Sequence, residues 1–202
     1  MALSLHIARS AEIGDWLESL AALRIRVFRE FPYLYEGSAD YEARYLGTYV
    51  RGATSMAVLA LDGERVVGAS TGIALAEEEP DFQRPFLNAG IPVDEVFYCA
   101  ESVLLPEYRG QGIYRHFFAA REAHARALPG MRLAAFCAVE RPADHPRRPA
   151  DWRPLDPVWA RFGYRRAEHL RTTFSWRDLD EAEASPKPMV FYLKPLHPEA
   201  AC

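Results

Sequence analysis

Glu101 is an acid inside the apolar run VFYCAESVLL (96–105), three residues before Leu104. A carboxylate in such a strand must be paired, hydrogen-bonded or functional, because burial otherwise penalises its charge. Directly after it, residues 106–118 read PEYRGQGIYRHFF, in which Gly110 and Gly112 precede an apolar helical pattern. A helix N-terminus carries amide N–H groups without intrahelical partners and partial positive charge from the helix dipole. Glycines ahead of it let the backbone approach a ligand closely, and together these features make a phosphate cradle. Arg109, Arg115 and His116 add cationic character. No Gly-Lys-Ser/Thr follows, so this is no Walker loop, and Arg115 stands where a dinucleotide fingerprint needs its third glycine.

Further groups fit a small polar substrate. Phe31, Tyr33, Tyr35 and Glu36 in FPYLYEG (31–37) join aromatic faces to one carboxylate, a combination that can receive an amine beside an apolar group. The segment ERPADHPRRPADWRP (140–154) is stiffened by proline and offers Arg141 and His145 to an acceptor. Cys99 and Cys137 sit on apolar strands, where a small buried filler is favoured over an acyl-cysteine nucleophile. His116 and His124 are eight residues apart and no Cys/His cluster has ligand spacing, so no metal site is expected.

Several elements must position these groups. LSLHIA alternates as a strand, and residues 12–31 carry apolar side chains at helical spacing up to Pro32. SADYEARYLGTYV reads as a second helix with Ser38 or Asp40 as N-cap. Asp62-Gly63 marks a hairpin, and EEEPDFQRPFLNAGIPVDE reads as a loop. A single strand over 96–105, the glycine loop, a helix ending near Leu128 and the strand RLAAFCAVE form one βαβ unit. Five prolines in 142–157 forbid a long helix there. A short helix PVWARFG and the strands RTTFSWRDL and PMVFYLKPL follow. The order β-α-α-β-β-β-α-β-α-β-β predicts an α/β class fold, one domain over 1–202 with a mixed sheet flanked by helices.

LLPEYRGQGIY, between strand and helix, resembles the acetyl-CoA motif of the GNAT N-acetyltransferase superfamily, Arg/Gln-x-x-Gly-x-Gly/Ala. Arg109 and Gly112 match it, and Tyr114 replaces the last small residue. The element order is similar over most of the chain, while the motif-level likeness covers 101–118. The resemblance implies a GNAT-like fold and acetyl-CoA as co-substrate. Its pyrophosphate would lie on Arg109, Gly110, Gln111, Gly112, Ile113, Tyr114 and Arg115, and its pantetheine arm along the backbone of Val103 and Leu104. The family's strand glutamate implies Glu101 as general base, although the phase differs by one residue, so equivalence requires a bulge. The family's tyrosine acid, from a Tyr-x-x-x-Gly-Phe pattern, corresponds to Trp159 in WARFGY, and indole cannot supply an acidic proton; Tyr114 is a candidate instead.

The expected activity is acyl transfer from acetyl-CoA to an amine acceptor, small molecule or peptide, by direct attack in a ternary complex. The alternative is a CoA-binding regulatory or partner-binding module without catalysis. A formal net charge of −4, with 24 basic and 28 acidic residues, argues against a nucleic-acid binder. Three scattered cysteines, no leader-like N-terminus and no long apolar run predict a cytoplasmic protein outside the membrane. The last apolar strand permits a homodimer.

Overall fold

The computed structural model describes residues 3–197; Cys202 lies outside the described residues. One eight-stranded mixed sheet, flanked by helices, has the order β1-β2-β3-β4-β6-β8-β7, with β5 (Ser102–Leu104) paired to β3 beside β4. β1 (Leu3–Arg9), β2 (Met56–Asp62) and β3 (Arg65–Ala74) are antiparallel neighbours. The β2–β3 turn contains Gly63 at a φ of 63°, a torsion that favours glycine. β4 (Val96–Tyr98) runs antiparallel to β3 and parallel to β6 (Leu133–Val139), which continues through β8 (Ser185–Pro195) to β7 (Arg165–Trp176).

The helical pattern of residues 12–31 resolves into a 3-10 helix, Ser10–Trp16, followed by α1 (Leu17–Phe28). Leu20 and Leu23 of α1 are buried, and α1 packs on α2 (Ala39–Arg51), β3 and β5. Ser38 caps α2, its hydroxyl accepting from Tyr41 N at 3.3 Å; Asp40 is already inside the helix. α4 (Ile113–Ala127) buries Ile113, Phe117 and Phe118 and packs against β2 and β3. α5 (Asp156–Arg161) is the short helix after the proline-rich segment.

Two expectations change. The segment read as a loop contains α3 (Pro80–Asn88), starting at Pro80 and carrying Pro85 inside. Proline at that position removes a donor and crowds the carbonyl four residues back. That carbonyl, Asp81 O, accepts from Thr172 Oγ1 of β7 at 2.9 Å instead. Phe82 and Phe86, one turn apart, bury α3 against the sheet. β7 also begins six residues before RTTFSWRDL, because its pairing with β8 shifts register between Ala167 and Arg171 and then resumes.

Candidate active site at the split between β5 and β6

The apolar run 96–105 forms two strands, β4 and β5 (Ser102–Leu104), rather than one. Thr71 of β3 explains the break. Its carbonyl accepts from Ala100 N at 3.1 Å and its amide donates to Glu101 O at 3.2 Å, so two residues of one strand oppose one of the other. This is the bulge that the phase of Glu101 required. Beyond Cys99 N, which donates to Ala135 O at 2.7 Å, β5 pairs only with β3 while β6 stays with β8. The two strands diverge and leave a groove of about 1220 Å³.

The groove mouth lies at the start of α4. Gly110 and Gly112 have φ of 77° and 80°, and Gly112 is the N-cap. A Cβ at either glycine would meet nothing within 4 Å, so the space in front of the first-turn amides is open. This arrangement fits a pyrophosphate. Gly110, Gly112, Ile113, Tyr114 and Arg115 line the groove; Gln111 turns its side-chain amide to Glu107 O at 3.3 Å. Arg109 also lines it, but its guanidinium is engaged elsewhere. Nε donates to Leu104 O at 3.2 Å and Nη2 pairs with Glu30 at 2.8 Å, so Arg109 clamps the loop to β5 and to the turn after α1.

The pantetheine expectation is corrected in phase. Leu105 N donates to Val67 O and Thr71 N to Glu101 O, so strand alternation turns the backbone of Val103 toward β3. Ser102 and Leu104 present theirs to the groove, and Ser102 was not among the expected residues. Val103 contributes a buried side chain to the groove wall.

At the inner end lies a cavity of about 90 Å³ lined by Phe28, Tyr33, Glu101, Tyr114, Arg121, Phe136 and Trp159 among others. Glu101 is 6% exposed. Its Oε2 lies 2.6 Å from Arg24 Nη1, and Oε1 is buried without a hydrogen-bond partner. Arg24 Nε also contacts Glu42 at 2.5 Å. Burial alone would lower the pKa of Arg24, but the Glu101 and Glu42 carboxylates outweigh it and hold it well above its ordinary value. The Glu101 carbonyl accepts from Ser70 Oγ at 2.9 Å and from Arg121 Nη1 at 3.0 Å, besides Thr71 N. Three donors on one oxygen fix the bulge.

Trp159 Nε1 points at Tyr114 Oη across 3.4 Å. An indole N–H only donates, so the tyrosine oxygen accepts and its own proton is free to point into the cavity. Burial raises the Tyr114 pKa and keeps the hydroxyl protonated. Burial also pushes the Cys137 thiol up to about 12 and raises Cys99, which opposes a thiolate nucleophile at either position.

The expected acceptor residues do not gather. Tyr33 lines both cavity and groove. Tyr35 bridges to Asp178 through its backbone and Glu36 pairs with Arg29 at 3.1 Å; neither lines the cavity or groove. Arg141 also lines the groove, but its guanidinium is engaged. Its guanidinium donates to Pro32 O and Tyr33 O at 2.8 Å each and pairs with Asp178 at 2.7 Å, pinning 31–37 to the β7–β8 connection. His145 packs 5.6 Å from the Phe31 ring and its Nδ1 accepts from Arg147 N at 3.2 Å, holding its own turn. Sequence reading passed over Arg24 and Arg121, although both interrupt apolar stripes: Arg24 among Leu20, Leu23 and Val27, Arg121 among Phe117, Phe118 and Ala125.

No family model matches the chain, and no curated protein matches it. Solved structures do. Arabidopsis thaliana NAA60 in complex with acetyl-CoA matches at 14% identity and a TM-score of 0.61, over 96% of this chain and 98% of that one. An N-acetyltransferase from Staphylococcus aureus matches at 13% identity and 0.61, over 98% and 100%. The GphF GNAT-like decarboxylase in complex with isobutyryl-CoA matches at 20% identity and 0.56, over 96% and 100%. The chain has the fold of the GNAT acetyltransferases. No helix among the described residues is long and apolar enough to cross a membrane.

Proposed function

We propose that the protein transfers an acyl group from an acyl-CoA, with acetyl-CoA the reference donor, to an amine by direct attack in a ternary complex. One observation carries this reading: the groove that begins at the open amides of Gly110–Tyr114 ends at a buried carboxylate oxygen, Glu101 Oε1, that has no partner. In this reading the first-turn amides and Arg115 hold the pyrophosphate, and the backbone of Ser102 with the amide of Leu104 holds the pantetheine arm, the Leu104 carbonyl being taken by Arg109. The thioester then lies beside the bulge. Glu101 Oε1 accepts a proton from the incoming amine, the nitrogen attacks the thioester carbon, and the C–S bond breaks. Tyr114 Oη gives its proton to the departing thiolate, with Trp159 holding the oxygen. Alignment in such a site can contribute up to ~7–11 kcal/mol and proton transfer a further 10²–10⁴-fold, as an order of magnitude. Tyr33 and Phe28 offer the acceptor an aromatic wall. Two neighbours of the same fold hold acetyl-CoA, NAA60 and yncA from Salmonella typhimurium, which supports the choice of donor.

Trp159 in place of a tyrosine favours a second reading, a CoA-binding module without catalysis. Calorimetric titration with acetyl-CoA, CoA and ATP, followed by an acceptor screen reading CoA release, separates the two. Binding of both CoA species without ATP, with amine-dependent CoA release, is the expected result. Binding without release from any amine leaves the module, and no binding to CoA species removes both.

A further inference from the structure

A base sealed at the inner end of a groove must pass its proton on, and Glu101 is not isolated. Tyr45 Oη donates to Glu101 Oε2 at 3.4 Å, Tyr45 and Tyr49 hydroxyls lie 3.1 Å apart, and Tyr49 Oη donates to Glu78 Oε1. Tyr45 and Tyr49 are one helical turn apart on α2, which brings their hydroxyls into line. Glu78, 5% exposed, follows the 3-10 turn Leu75–Glu77, away from the groove. We infer that Glu101, Tyr45, Tyr49 and Glu78 form a side-chain proton relay that carries the acceptor's proton out of the active site to Glu78. The inference rests on the reading of Glu101 as base.

The charges around the two ends give the relay its direction. Arg24 Nη1 stands 2.6 Å from Glu101, a cation at that end. Glu78 has no cationic partner among the described residues. Its Oε1 accepts from the Tyr49 hydroxyl of α2 and its Oε2 from Glu79 N at 3.1 Å, and the other charged or titratable groups that act on it, Tyr98 of β4, Cys137 of β6 and the Glu79 and Glu101 carboxylates, bring no cation. From α3, the Gln83 amide reaches only the Glu78 backbone carbonyl, at 2.6 Å. Glu78 can therefore take up a proton near neutral pH, since burial raises its pKa to about 7.

The step balances. The amine's N–H electron pair stays on nitrogen and its proton goes to the Glu101 carboxyl group, which a half-turn about Cγ–Cδ brings against Tyr45. Glu101 gives this proton to Tyr45 Oη, Tyr45 gives its own to Tyr49 Oη, and Tyr49 gives its own to Glu78 Oε1. Glu101 is again a carboxylate, each tyrosine keeps one hydrogen, and Glu78 is a neutral acid that releases its proton to water. Rotation of the two hydroxyls restores the starting state.

The test uses acetyl-CoA with 2-phenylethylamine, a primary amine with an aryl group suited to the Phe28–Tyr33 wall, and compares wild type with Tyr49→Phe, Glu78→Gln and Glu101→Gln. Tyr49→Phe should lower kcat about 10- to 100-fold with KM for acetyl-CoA unchanged. Its rate should become a linear function of D₂O fraction where the wild type is bowed. Glu78→Gln should lose the same factor and the acidic limb of the pH profile. A folded Tyr49→Phe with wild-type kcat and a bowed inventory, beside an inactive Glu101→Gln, overturns the relay and leaves the base standing. A fully active Glu101→Gln overturns the base and the relay with it. Infrared spectra need no acceptor: a carboxylic-acid band should vanish as pH rises through about 7, be absent in Glu78→Gln and shift in Tyr49→Phe. Absence of that band in the wild type removes the relay's end point.

Discussion

Arg121 Nη1 donates to the Glu101 carbonyl across 3.0 Å, from a fully buried position on α4. The helix whose first turn forms the amide cradle thereby holds the bulge that carries the carboxylate. A hydrogen bond from a charged donor to a buried carbonyl is among the stronger ones, at about 1.5–3 kcal/mol. Arg121→Met keeps the stem and removes the donor. It should lower kcat by roughly tenfold while acetyl-CoA affinity stays near wild type, with partial recovery in Arg121→Lys. Equal loss of affinity and kcat would place the effect in the cradle rather than the bulge.

Gly112 needs its left-handed torsion, φ 80°, but not the absence of a neighbour, since a Cβ there meets nothing within 4 Å. The steric part of a Gly112→Asp effect is therefore backbone strain, about 1–2 kcal/mol for a non-glycine residue in that region. The larger part is a negative charge set where the pyrophosphate would sit. Gly112→Ala should weaken acetyl-CoA binding modestly and Gly112→Asp more than tenfold beyond it, by calorimetry on folded protein. Equal affinities for the two variants would separate the cradle from the phosphate.

Tyr114 is the thiolate's acid in the proposed reaction. Tyr114→Phe should reduce kcat by about 10- to 100-fold with acetyl-CoA affinity retained. An acyl donor whose thiol is more acidic, such as an aryl thioester, should recover most of the loss, since its thiolate leaves without protonation. No recovery would assign Tyr114 to packing against Phe118 and Phe162, which its ring touches edge-on.

Arg141 should behave as a structural clamp. It is nearly buried, pairs with Asp178 at 2.7 Å and donates to two carbonyls of 31–37. Removing one partner of such a pair costs about 3–5 kcal/mol, and Lys187, 3.4 Å from Asp178, offsets part of it. Arg141→Ala should lose about 3 kcal/mol in urea unfolding. A raised acceptor KM with unchanged stability would restore it to the substrate site.

Glu78 should also mark the stability of the fold against pH. Its folded pKa is about 7 against an ordinary value of 4.5, so the native state binds the proton more tightly than the unfolded one. That contribution is complete below about pH 4.5 and is lost as pH rises through about 7, a span on the order of 3 kcal/mol. Unfolding free energies at pH 5 and pH 8 should differ in the wild type and converge in Glu78→Gln. An unchanged difference in the variant would assign it to other groups.

Much of the frame is local chemistry and was legible in the chain. The Asp62-Gly63 turn, the glycines before α4, the N-cap Ser38 and the periodic apolar faces all act through neighbours in sequence. So does the likeness of 101–118 to an acyl-CoA motif, which the fold now matches across nearly the whole chain. α3 was missed because proline signals a break, and only Thr172, distant in sequence, supplies the donor that satisfies the crowded Asp81 carbonyl.

The site divides in the same way. That a buried acid at 101 must do something follows from the cost of burying charge, and the cradle follows from glycine torsions and helix amides. The role of each cation did not follow, because it depends on which partner reaches it first across the fold. Arg141 was expected at the acceptor and its guanidinium is taken by Asp178 and two carbonyls; Arg109 is drawn to Leu104 and Glu30. Strand phase was equally non-local: one extra residue opposite Thr71 turned Val103 toward β3 and gave the groove edge to Ser102. Sequence determines which groups must be satisfied; only tertiary contact decides which are used up by the fold and which, like Glu101 Oε1, are left without a partner.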